Sequence, residues 1–215
     1  MNIISHRGMW STECAKNSID SFNKAIENNF GIEMDIRDYR SKIVISHDLP
    51  GKNSLALDSF LHNYNLKCHL SGLTKNPPYI AINIKSDGLA DKVRVLLIKY
   101  NIKNYFIFDM SIPDTIGYLN LGMKVYARIS EYEAAPLDVP GVSGVWVDQF
   151  KGDWYDMKIL EDLFDKFGNL CIVSPELHKR EYKNCWNMLK KFKYQNKVSI
   201  CTDIPELARE FFNEK

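Results

Sequence analysis

Gly31-Ile32-Glu33-Met34-Asp35-Ile36 is an apolar, β-rich run in which two carboxylates stand two residues apart. Side chains at i and i+2 share one face of an extended strand, so Glu33 and Asp35 point the same way. Two acids on one face repel each other unless something positive lies between them. Taken alone, the pair also suits an ordinary exposed strand face, and the neighbouring runs decide between the two readings.

The run before it, residues 2–5, ends in Ser5-His6-Arg7-Gly8, and the one after it, Ile43-Val44-Ile45-Ser46-His47-Asp48, ends in a second histidine. Residues 79–84 lead into Asn83-Ile84-Lys85, again at i, i+2. Five more short runs follow, at 105–109, 124–129, 143–148, 170–174 and 197–202. With 2–5, 31–36 and 79–84 they make eight expected strands. Helical periodicity fills 18–28, 54–64, 89–100, 112–121, 156–167, 180–192 and 204–213, and several of these stretches start after Asp, Ser or Pro, as helix caps do.

Strands alternating with helices predict an α/β fold with a parallel sheet. Eight units in 215 residues is about 27 residues each, which suits a compact (β/α)8 TIM barrel with short loops, one domain spanning 1–215. The alternative, a doubly wound open sheet, lacks its usual signal. No Gly-x-Gly-x-x-Gly or Gly-Lys-Ser/Thr element follows the first strand.

A barrel gathers its chemistry at the C-terminal ends of its strands. His6, Arg7, Glu33, Asp35, His47, Asn83 and Lys85 then meet at one mouth. Two carboxylates and an amide oxygen are donors for a hard divalent cation, and Arg7 and Lys85 are partners for an anion. The remaining histidines, His62, His69 and His178, lack such company and read as structural. Four pairs fall at or just past later strand ends: Asp109 with Ser111, Arg128 with Glu131, Trp146 with Asp148, and Glu176 with His178. Trp146 stands out among them, because an indole at a barrel mouth can stack on a sugar or hold a cationic group.

Composition narrows the partners. Twenty-eight Lys and Arg against twenty-seven Asp and Glu give a formal charge of +1, too little field to hold a nucleic acid backbone. No apolar stretch is long enough for membrane insertion, and Met1–Trp10 carries charge where a secretory signal would be apolar. The five cysteines are scattered and odd in number, and Cys68-His69 has no second cluster to complete a zinc site. Reduced thiols in a cytoplasmic protein are expected. The richness in Lys and Asn hints at an AT-rich bacterial genome.

The ordered motifs resemble those of the glycerophosphodiester phosphodiesterases and their relatives, the phosphatidylinositol-specific phospholipases C. His6-Arg7-Gly8 is similar to the opening His-Arg-Gly of that family. Lys16-Asn17-Ser18, with Phe22 and Ala25, is similar to its Glu-Asn-Ser/Thr helix start. Gly31 to Asp35 resembles its Glu-x-Asp metal pair, with His47-Asp48 following at the expected distance. Asn83-Ile84-Lys85 sits where the family has Glu-x-Lys, and Cys201-Thr202-Asp203-Ile204-Pro205 resembles its closing Thr-Asp-x-Pro. The resemblance spans residues 6–205 and implies a phospholipase C-like (β/α)8 barrel and a phosphoric diester hydrolase.

It further implies one divalent cation, Mg2+ or Ca2+, held by Glu33, Asp35 and Asn83. Arg7 and Lys85 would hold phosphate oxygens; Trp146 is placed in the substrate pocket by its strand-end position alone. His6 and His47 would share the acid and base roles in cleaving a small-molecule or polymer phosphodiester, in an order the residues leave open with His6 as base preferred, and the resemblance implies a cyclic phosphate if a neighbouring hydroxyl attacks. Two positions depart from the pattern: Lys16 and Asn83 stand where the family has Glu. Losing one ligand charge weakens Coulomb attraction for the ion. A barrel that binds a phosphorylated ligand without cleaving it is the alternative. A glycoside hydrolase fits poorly, because carboxylates two apart on one strand cannot flank a glycosidic bond.

Overall fold

The computed structural model describes residues 1–213. Ten strands run in the order β1 (Asn2–His6), β2 (Gly31–Tyr39), β3 (Lys42–Ile45), β4 (Leu55–Ala56), β5 (Ile80–Ile84), β6 (Tyr105–Phe108), β7 (Val125–Ile129), β8 (Val142–Val147), β9 (Leu170–Val173) and β10 (Ser199–Thr202). Strand order is β1-β10-β9-β8-β7-β6-β5-β2, and pairing of β1 with β2 closes the ring. All pairings in this ring of eight are parallel. The fold is a closed (β/α)8 barrel, and each of the eight expected strands is one of its staves.

Seven helices follow: α1 (Ile19–Glu27), α2 (Leu57–Leu70), α3 (Ala90–Lys99), α4 (Ile112–Asn120), α5 (Met157–Phe167), α6 (Lys183–Lys190) and α7 (Pro205–Asn213). Their starts have local causes. Ser18 and Ser21 form a reciprocal capping box at α1, and Ser111 and Asp156 accept from the backbone at the starts of α4 and α5. Between β7 and β8 the chain crosses without a helix.

Three differences from the sequence reading stand out. Residues 42–45 form a strand that pairs antiparallel with the far end of β2, and Leu55–Ala56 adds to its other edge. This hairpin lies outside the ring and carries His47. It also delays α2, because Leu55 and Ala56 are used as strand. Finally, α6 is shorter than expected: a 3₁₀ turn at Pro175–His178 ends in Lys179 at φ 60°, and Arg180 reaches back to the Gln149 carbonyl.

Parity along each stave builds the core. On β2, Ile32, Met34 and Ile36 face outward and pack with Phe22, Ala25 and Ile26 of α1 and Phe60 and Leu61 of α2. Gly31, Glu33 and Asp35 then face the interior, where side chains alternate. A small inner cluster fills the lower barrel: Ile4, Ala81, Phe106, Phe108, Trp146, Cys171, Val173 and Cys201. The polar residue two places further along the same face reaches the mouth: His6 after Ile4, Asn83 after Ala81, Asp148 after Trp146, Asp203 after Cys201. The barrel floor thus sets which side chains form the site.

Space inside is tight. The Tyr126 ring stacks on Phe106 with centroids 4.0 Å apart and planes at 6°. A Cβ added at Gly144 would lie 2.5 Å from that ring. Gly144→Ala is therefore expected to lower stability by about 1–3 kcal/mol, the usual range for overpacking. Urea unfolding measures it, and an unchanged midpoint would contradict this packing.

Candidate active site

β1 ends at His6, and the chain turns sharply at Arg7 (φ 58°) and Gly8 (φ 81°). Gly8 is required, since a Cβ there would meet Ser21 Oγ at 2.5 Å as well as a positive φ. The turn aims three groups of one short segment at β2. The Arg7 backbone N–H donates to Glu33 Oε2 at 3.2 Å, and Arg7 Nε lies 2.9 Å from Asp35 Oδ2. Asn17, also at positive φ (55°), donates from Nδ2 to the same oxygen at 2.9 Å. Two non-glycine residues in the left-handed region cost about 1–2 kcal/mol each, and the buried carboxylate they face is what holds them there.

Asp35 is fully buried with Arg7 on one side and Lys85 Nζ at 3.6 Å on the other. Glu33 is equally buried, at 1% exposure, but its nearest side-chain base is His6 Nε2 at 3.9 Å. Burial, with the neighbouring Asp35 charge adding to it, pushes the Glu33 carboxyl up to about 7. Asp35 and Asn83 are register partners on β2 and β5, and Asp35 Oδ1 and Asn83 Oδ1 are both buried without a hydrogen-bond donor. Two orphaned oxygens beside a carboxylate that resists ionising form a donor set fitted to a hard cation. Two carboxylates and one amide make up that set. Among the described residues no group of three or more His, Cys, Asp or Glu converges as a metal cluster.

His6 is fixed from behind. Its Nδ1 lies 2.7 Å from Asp203 Oδ1, and a carboxylate only accepts, so Nδ1 carries a proton; in the neutral ring Nε2, which faces Glu33, is then the acceptor. Trp10 Nε1 donates to the same Asp203 oxygen at 3.0 Å, and Lys16 Nζ lies 3.7 Å from the other. Burial alone would raise the Asp203 carboxyl, but the His6 hydrogen bond and the His6 and Lys16 charges hold it below its usual value. Lys16 also sits 3.9 Å over the Trp10 ring.

His47 stands apart from the carboxylates. Its side chain is 45% exposed and its Nδ1 pairs with Asp48 at 2.9 Å. What it shares with the site is a cavity of about 620 Å³ lined by Arg7, Lys16, Asn17 and His47 among others. Trp146 is buried at 5% exposure with its face stacked on Phe108, centroids 3.9 Å apart, so it lies in the barrel floor and not on an open mouth. His6, Arg7, Glu33, Asp35, Asn83 and Lys85 meet, then, with His47 across the cavity and Trp146 below.

Other residues complete the mouth. Lys85 Nζ also reaches Asp109 Oδ2 at 3.1 Å, Asp109 pairs with Arg128, and Arg128 Nε and Nη2 clasp Glu133 at 2.6 and 3.2 Å. His178, read from sequence as a structural residue, belongs to the mouth: its Nε2 lies 2.7 Å from Asp148 Oδ1. Asp203 had a signal, the closing Thr-Asp-x-Pro, but no spacing ties it to His6. Asn17 likewise sat in a quoted motif without a partner.

No family model matches this chain, and no curated protein matches it either. Among solved structures it is similar to a glycerophosphodiester phosphodiesterase from Parabacteroides distasonis, with a TM-score of 0.68 at 16% identity over 98% of this chain and 96% of that one. A glycerophosphodiester phosphodiesterase from Agrobacterium tumefaciens gives 0.67 at 13% identity, over 97% and 99%.

Raised to about 7 in the folded protein against 4.5 when exposed, Glu33 favours folding while protonated and opposes it once ionised. In chelator, its contribution is thus full below pH 4.5 and lost as pH climbs through 7. Glu33→Gln should flatten the decline in melting temperature over that window, and superimposable pH profiles for the two proteins would refute it. Over 97–98% of its length, the chain has the barrel fold of these two glycerophosphodiester phosphodiesterases.

Proposed function

We propose that this protein is a metal-dependent phosphodiesterase acting on a glycerophosphodiester or a related sugar or glycerol phosphodiester. The observation that carries the reading is the inward carboxylate pair Glu33 and Asp35, bracketed by Arg7 and Lys85 and faced by the open nitrogen of His6. Fold likeness to two glycerophosphodiester phosphodiesterases supports it independently.

Glu33, Asp35 and Asn83 would hold the ion, Mg2+ or Ca2+, which when bound supplies positive charge to a phosphate oxygen. Arg7 and Lys85 bind the other non-bridging oxygen and take up charge as it develops there. His6 Nε2 accepts the proton of the attacking hydroxyl or water, because Asp203 keeps the other nitrogen protonated and the ring in place. His47, across the cavity lined by Arg7, donates a proton to the departing alcohol oxygen. Asp203 acts through His6 and is a positioning residue. Attack by a hydroxyl of the substrate itself would give a cyclic phosphate first.

Among the described residues no helix is long and apolar enough to cross a membrane. A small or polymeric phosphodiester is the fitting substrate.

Phosphorus NMR tests the reading, with a panel of glycerophosphodiesters in Mg2+, in Ca2+ and in chelator. Diester signal should convert to monoester or cyclic ester only with an ion present. His6→Ala and His47→Ala should each slow turnover by about two to four orders of magnitude with the fold intact. Asp203→Asn should lower kcat by about tenfold to a hundredfold with KM little changed. Full activity in both histidine variants, or no conversion across the panel, would end the proposal.

A further inference from the structure

Glu176 takes part in none of the roles above. It stands in the 3₁₀ turn Pro175–His178 that follows β9, partly buried, with its carboxylate against the end of β10. Oε1 accepts from the Asp203 backbone N–H at 3.1 Å and from Thr202 Oγ1, and Oε2 accepts from Ser174 Oγ. Ser174 Oγ accepts in turn from Trp186 Nε1 at 2.7 Å, and Thr202 Oγ1 from the Ile204 N–H at 3.1 Å. Ser174, Thr202 and Trp186 are fully buried, so the carboxylate rests on a close-packed anchor with little freedom to shift.

The sheet explains why a side chain is needed here. Ser174 N–H donates to the Cys201 carbonyl at 2.9 Å, a rung of the β9–β10 ladder. In a parallel pair the next rung would run from the Asp203 N–H to the Ser174 carbonyl. That carbonyl accepts instead from the Leu177 N–H at 3.1 Å, where Pro175 opens the turn. Glu176 Oε1 supplies the missing acceptor. The turn itself is tied down beyond Glu176, because Leu177 packs on the inner cluster of the floor and His178 pairs with Asp148.

Asp203 is thus held by its backbone while its Oδ1 takes His6 Nδ1 at 2.7 Å and Trp10 Nε1 at 3.0 Å. Any shift of the Asp203 backbone moves the carboxylate that orients the His6 ring. We propose that Glu176 is a positioning residue, which sets the place of Asp203 and, through it, the tautomer and orientation of His6. The inference rests on the phosphodiesterase reading above, in which His6 accepts the proton. What Glu176 contributes is an acceptor at a fixed place. Glutamine can supply the same acceptor, with Oε1 on the Asp203 N–H and Nε2 turned to Ser174 Oγ, whereas alanine cannot.

Histidine-selective nitrogen NMR tests the assignment without substrate, at about pH 8.5, above the ordinary imidazole range. The His6 signals are identified by their loss in His6→Ala. In the wild type the His6 proton should sit on Nδ1. Glu176→Ala should move a large share of it to Nε2, and Glu176→Gln should not. With a glycerophosphodiester, Glu176→Ala should lower kcat about tenfold with KM little changed, and Glu176→Gln should recover kcat to within about threefold. Adding Glu176→Ala to Asp203→Asn should cost little beyond Asp203→Asn alone, since residues acting through one another are not additive. Glu176→Met keeps the side-chain length without a strong acceptor and gives the same test should Glu176→Ala fail to fold. An unchanged His6 tautomer in these variants, with only the melting temperature lowered, would overturn the assignment. So would equal kcat losses in Glu176→Gln and Glu176→Ala. A tautomer shift in a protein that turns over no diester would uphold the hold of Glu176 on His6 and refute the phosphodiesterase reading.

Discussion

Two carboxylates buried on one strand face are the constraint around which this barrel is arranged. Glu33 and Asp35 cannot share a dry interior without cations, because burial and mutual repulsion both oppose their charge. The chain answers with Arg7 and Asn17 from the first loop and Lys85 just past β5, all converging on Asp35. Much of the local backbone follows from this. The positive φ of Arg7 and Asn17, the glycine at position 8, and the Arg7 carbonyl that accepts from Asn17 N and Ser21 Oγ all serve to hold the first loop against β2.

Strand parity carries that arrangement around the ring. Because side chains alternate across each stave, the choice of which residues fill the barrel floor also fixes which ones stand above it. Phe106, Phe108, Tyr126 and Trp146 fill the floor on one side with two stacked ring pairs, and parity places Arg128 and Asp148 above them, while Asp109 leaves the strand alternation at φ 73°. On the other side the filling is small: Ala81, Cys171 and Cys201. The carboxylates lie over that smaller floor, so the interior is divided between a half that holds the carboxylate pair and a half built on aromatic rings.

The sequence made the ring legible because every stave carries an unbroken β-rich run, and every run but one is followed by a helix. Residues whose partners are sequence neighbours were also legible: Glu33 with Asp35 through the two-residue period, and Asn83 with Lys85 in the same way. What it did not reveal were pairings across the closed sheet. His6 and Asp203 lie 197 residues apart and meet only because β1 and β10 are adjacent. His178 was read as structural for the same reason, since Asp148 reaches it from a neighbouring stave. Trp146 shows the opposite limit. Its place at a strand end suggested an open face, but Phe108, on another stave, covers it. The hairpin bearing His47 was hidden by length, because Leu55–Ala56 is too short to read as a strand.

Asn83 makes sense in terms of the charge count. With an amide there, the inner site sets two carboxylates against Arg7 and Lys85 and is neutral when both carboxylates are ionised. A third carboxylate would have left it one charge negative and more attractive to a divalent cation. As it stands, a proton on Glu33 competes for the place an ion would take, since that carboxyl rises to about 7 in the empty site. An anionic phosphate changes the balance, because it engages Arg7 and Lys85 and returns to Glu33 and Asp35 the negative charge those cations had offset. Under the proposed function, ion and phosphodiester would then favour each other's binding.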